Sequence, residues 1–98
     1  MLIRIVRMHF TEAGAETFLK IFETNMEAIR GFKGCSHLQL LKDVNHPHIY
    51  TTLSHWQDAQ SLEDYRRSEL FGSVWKQVKA LFSKQPEAFS LEPFIDLT

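Results

Sequence analysis

The segment "LIRIVRMHF", residues 2–10, sets Leu2, Arg4, Val6, Met8 and Phe10 on one side of a strand and Ile3, Ile5, Arg7 and His9 on the other. Both sides are partly apolar, so neither face of this strand belongs in water, and any fold that holds it must cover the sheet twice. A chain of 98 residues buries only a modest fraction of its unfolded surface and makes one domain, residues 1–98. Its own helices can cover one face. Covering the other falls to a second copy of the chain.

The rest of the chain supplies those helices in order. Thr11 is placed to cap a helix whose apolar residues Ala15, Phe18, Phe22, Met26 and Ile29 recur at spacings of three and four, and Gly31 is placed as its left-handed terminator. The first helix therefore spans roughly Glu12 to Arg30. "GCSHLQLLKD" and "PHIYTTLSHW" then read as a hairpin joined through "VNH" and Pro47. With Lys42 set opposite Ile49, Leu38 faces Leu53 and Leu40 faces Thr51 on one side. Cys35, His37, Gln39, Thr52, Ser54 and Trp56 gather on the other, and a slip of one residue would scatter both sets. Asp58 caps a short helix with Ala59, Leu62 and Tyr65 inward. Ser68 caps a second one carrying Phe71, Val74, Trp75, Val78, Leu81 and Phe82, which Pro86 stops before a last strand, "EAFSLEPFI". The order β-α-β-β-α-β with right-handed crossovers predicts an α+β, ferredoxin-like split fold: a four-stranded antiparallel sheet with helices on one face, paired into a dimeric α+β barrel.

Charge and cysteine count narrow the function classes. Eleven Lys and Arg against twelve Asp and Glu are scattered along the chain, without the basic footprint of a nucleic-acid binder. A single cysteine, Cys35, forms no internal disulfide. Arginines interrupt the N-terminal apolar run where a signal peptide needs continuity, and no stretch is long and apolar enough to span a membrane. The expectation is a cytoplasmic protein that binds neither nucleic acid nor membrane.

Few residues carry recognisable chemistry. His46 and His48 stand two apart at a turn with no Cys or acidic ligand fixed beside them, so no metal is expected. Cys35 before His37 lacks an oxyanion element and reads as a small buried thiol. "GFKG" lacks the ending of a phosphate-binding loop, and no cofactor is expected. What stands out is a mixed aromatic and polar group: His37, Gln39, Ser54 and Trp56 on one sheet face, with Tyr65, Phe71 and Trp75 on the helical segment packed over it. Buried Trp and Tyr need partners for their N–H and O–H groups. Pattern alone leaves two readings of that group, a satisfied polar patch in a small core and a ligand pocket.

The stretches "MLIRIVRMHF", "GFKGCSHLQLLKD", "TTLSHW" and "YRRSELFGSVWKQVKALF" together resemble the antibiotic-biosynthesis monooxygenase domain family over nearly the whole chain. The resemblance implies a homodimer with a pocket between each sheet and its own helices, and it makes Trp56 the strand-end Trp that lines the pocket. It implies oxidation of a small aromatic compound, a quinol, anthrone or polyketide, by O₂ without metal or flavin. The strand Asn used by the best-known members, four residues before that Trp, is replaced here by Thr52. In the haem-degrading branch a Trp and a His stand ten apart in the second helical region; Tyr65 and Trp75 occupy the matching positions, so haem degradation is the lesser expectation. On this reading His37 is the base, Trp56 and Trp75 sandwich the substrate, Phe71 adds to the wall, and Gln39, Thr52, Ser54 and Tyr65 hold its oxygens. The alternative is a dimer that binds a small molecule, or serves a stress response, without catalysis.

Overall fold

The computed structural model describes residues 1–98. Its elements are β1 (Leu2–Phe10), α1 (Glu12–Arg30), β2 (Cys35–Lys42), β3 (Ile49–Trp56), α2 (Ala59–Arg66), α3 (Glu69–Lys79) and β4 (Phe82–Leu91). The four strands form one antiparallel sheet in the order β2-β3-β1-β4, the ferredoxin-like arrangement. The helices start where side chains satisfy their first free amides. The Thr11 hydroxyl accepts from the Gly14 amide at 3.0 Å, Asp58 from Ser61 at 2.8 Å, and Ser68 from Phe71 at 3.1 Å. Gly31 closes α1 in ordinary right-handed geometry. The left-handed glycine is Gly34, with φ of 91°.

Strand pairing fixes which residues face the helices. Arg4 lies opposite Ser54, Val6 opposite Thr52 and Met8 opposite Tyr50, and this face packs on Phe18 of α1 and Val78 of α3. The hairpin register differs from the expected one. Lys42 pairs with Tyr50 rather than Ile49, Leu40 with Thr52 and Leu38 with Ser54, a shift of one residue from His37 to Lys42. Cys35 pairs with Trp56 and His37 with His55, so Ser36 is an extra residue on β2, a bulge that turns the strand over. Cys35 and His37 therefore do not share a face. His37 and Gln39 lie on the far side of the sheet with Leu53 and His55, and Leu38 and Leu40 take their places under the helices.

The last strand also departs from the periodic reading. Leu81 and Phe82 continue the helical spacing, yet α3 ends at Lys79 and Phe82 already pairs with Phe10. Pro86 stands inside β4 and not at a helix stop. The strand is an edge, and its register against β1 shifts between Arg7 and His9, where a residue without an N–H costs no ladder bond. Phe94 and Ile95 lie beyond β4 and are exposed.

Two apolar clusters result. Met8, Phe10, Ala15, Phe18, Tyr50 and Val78 form one, and Cys35, Trp56 and Leu62 form the other.

Candidate functional site

Between those two clusters the sheet and helices fail to meet, leaving a cavity of about 280 Å³. The reason is local. Thr52, Ser54 and Ala88 present short side chains from the inner face of the sheet, while α2 and α3 break apart at Arg67 and Ser68 and hold large rings above them. The space is at the small end of ligand pockets, with the usual apolar wall and few polar groups.

The wall is a run of aromatic rings. Trp56 stacks on Tyr65 at 4.9 Å between centroids and 27° between planes; Tyr65 meets Phe71 edge-on at 5.2 Å; Phe71 stacks on Trp75 at 5.7 Å and 12°. Trp56 is 1% exposed, the most deeply buried large side chain in the chain. Its indole N–H donates to the Ser54 hydroxyl at 2.9 Å, which removes the cost of burying that polar group. Ser54 accepts this bond and keeps its own hydrogen to donate. Burial first, and then the nearby Cys35 thiol, push the Tyr65 phenol up to about 12. It is a neutral hydrogen-bond donor at physiological pH and no base.

Of the residues singled out in the sequence, Trp56, Thr52, Ser54, Tyr65, Phe71 and Trp75 all line this cavity. His37 and Gln39 do not. They face away from it and bond each other, His37 Nε2 to Gln39 Oε1, at 3.3 Å. The His37 ring packs 4.8 Å from that of His55 on the same outer face. No His, Asp, Glu or Lys lines the cavity, so nothing in it can act as a general base near neutral pH. No three His, Cys, Asp or Glu side chains are grouped as a metal site would need. Two lining residues escaped sequence reasoning, Arg4 of β1 and Arg66 of α2. Arg4 left a signal, since it alternates with Leu2, Val6 and Met8 on the side destined for the interior. Arg66 left none.

The outer face is the mirror of this one in character. Ile5 pairs with both Leu53 and Phe89, and Ile3 with Leu91. Phe89 and Leu91 are 46% and 50% exposed. Toward one end lies a charged knot in which Arg7 reaches Asp43 at 3.4 Å and Glu87 at 3.2 Å, and His9 reaches Glu87 at 3.0 Å. The His9 and Arg7 hydrogen bonds hold the Glu87 carboxyl below its ordinary range.

Comparison with known proteins places this arrangement. The family model described as "Antibiotic biosynthesis monooxygenase" matches residues 1–77. Among solved structures, one described as an antibiotic biosynthesis monooxygenase superposes with a TM-score of 0.90 at 17% identity, covering 97% of this chain and 100% of the other. A conserved protein from Methanosarcina mazei Go1 gives 0.86 at 22% identity, over 93% and 91% of the two chains. A Mycobacterium tuberculosis protein gives 0.89 at 14% identity, over 99% and 98%. At these identities the structural likeness speaks for the fold. No curated protein matches the sequence.

Proposed function

The chain belongs to the antibiotic biosynthesis monooxygenase family, and from that premise we propose a cofactor-independent oxygenation of a small aromatic compound of quinol, anthrone or polyketide type. The observation that carries the reading is an aromatic cavity with hydroxyl donors from Thr52, Ser54 and Tyr65 and no base. A flat substrate fits between Trp56 and Trp75, with its oxygens toward those hydroxyls.

With His37 on the far side of the sheet, ionisation is left to the substrate's own acidity. The donors stabilise the resulting oxyanion, which lowers the free energy of the charged form. The anion gives one electron to O₂, the two radicals recombine at carbon, and the peroxide collapses. One oxygen atom stays as the new carbonyl and the other leaves as water. Oxygen uptake with reduced quinols and anthrones, measured against the spontaneous rate and followed with labelled O₂, tests this. Label in the carbonyl at an accelerated rate supports it.

A second reading is a dimer that binds such a compound without transforming it, and it is favoured by the same lack of a general base in the cavity. Tight binding with no acceleration of oxygen uptake across the panel would decide for it. Either way we infer a homodimer joined through the outer sheet faces. Ile3, Ile5, Leu53, Phe89 and Leu91 make that face apolar, and the chain has no element of its own to cover it.

A further inference from the structure

Two arginines stand at one end of an otherwise uncharged cavity. Arg4 projects from the inner face of β1, opposite Ser54 of β3 and Ser90 of β4. Arg66 stands one residue after Tyr65, at the end of α2. Both belong to the cavity wall at its Ser54, Trp56 and Tyr65 end. Arg4 has no acidic partner, and Arg66 shares one. Arg4 makes a hydrogen bond to the Ser90 hydroxyl at 3.1 Å, a neutral partner, and no carboxylate stands within ion-pair distance of it. Arg66 reaches only Glu63, at 3.7 Å on the exposed side of α2, and Arg67 holds that carboxylate more closely at 3.0 Å. Burial first, and then the like charge of Arg66, weaken Arg4's hold on its proton.

Two like charges face one cavity, with no counterion for Arg4 and only a surface carboxylate shared with Arg67 for Arg66, and their mutual repulsion adds nothing to stability. A bound anion offsets that repulsion. Guanidinium groups match planar oxyanions with paired N–H donors, and flat rings match the Trp56 and Tyr65 wall beside them.

We propose that Arg4 and Arg66 form an anion subsite of this cavity, so that its ligand is a small aromatic anion whose charged oxygen lies between the two guanidinium groups. This rests on the reading of the cavity as a ligand site, and adds the ligand's charge. The same pair stabilises a phenolate or enolate as it forms, which supplies the ionising influence that a missing base would otherwise provide.

The test is a matched pair of probes, 2-naphthoate and its neutral counterpart 2-naphthalenemethanol, titrated by calorimetry into the whole chain at neutral pH in low and in high salt. The neutral alcohol measures the cavity alone. The carboxylate is expected to bind about tenfold tighter or more, the worth of one charge-assisted hydrogen bond. That advantage should shrink with salt and nearly vanish in Arg4→Gln. Arg66→Gln should lose much of it as well. Because Arg66 is exposed, its variant folds even if the strand variant does not. Equal affinities for the two probes, or a carboxylate advantage that survives in Arg66→Gln, overturns the anion subsite and leaves the cavity standing as a ligand site. Failure of both probes to bind overturns the subsite together with the reading on which it rests.

Discussion

At the residue scale, Trp56 joins structure and site. Removing its ring should cost about 3 kcal/mol, because a fully buried aromatic leaves a cavity and here also strips the Ser54 hydroxyl of its donor. Chemical denaturation of Trp56→Ala checks this. Trp56→Phe, which keeps most of the packing, should lose markedly less. His37 is the opposite case. Its side chain lies across the sheet from the cavity, so His37→Ala should leave affinity for aromatic ligands within about twofold of wild type, a surface-like change of a few tenths of a kcal/mol. A larger loss by calorimetry would put His37 back at the site. Burial first, and then the charge of His37, depress the His55 imidazole below its ordinary value of 6.5. In the window between the depressed folded value and 6.5 the unfolded chain binds more protons than the folded one. Stability is therefore full above 6.5 and declines as pH falls toward the folded value, and His55→Gln should flatten that decline in denaturation curves taken across the range.

At the level of elements, much was legible and the failures share a cause. The helices announced themselves through caps and spacing, since Thr11, Asp58 and Ser68 act within one turn of their own position. What misled lay in contacts between distant segments. Leu81 and Phe82 keep the period of α3, and only pairing with β1 makes Phe82 a strand residue. The extra residue at Ser36 has no local signature, yet it decides that His37 and Gln39 leave the cavity. Thr52, Ser54 and Trp56 reach the cavity wall through strand parity, and Tyr65, Phe71 and Trp75 through helical spacing, both local properties. Gly34, just before the bulge, has a left-handed backbone, and an added Cβ would collide with the Ser61 side chain at the start of α2. Gly34→Ala should cost about 1–3 kcal/mol by denaturation. Pairing it with Ser61→Gly should recover the steric part and not the backbone part.

For the whole molecule, the apolar outer face is the ground for the proposed homodimer. Sedimentation at micromolar concentration is expected to give twice the 11.5 kDa chain mass, and Phe89→Glu should shift it toward the monomer by placing a charge in the joint. A wild-type chain that stays monomeric would contradict the barrel. The split interior has a different consequence, for motion. One apolar cluster ties β1, α1 and α3 together, while the other is closed by Leu62 and Tyr65 of the eight-residue α2. A unit so short, held by two side chains, opens at lower free energy than the rest, and its opening uncovers the cavity from the Trp56 end. Amide protons of α2 should then exchange with solvent ahead of those in β1 and α3. A bound ligand, touching both clusters at once, should slow them most, so that entry and release of the ligand are timed by the fraying of one short helix.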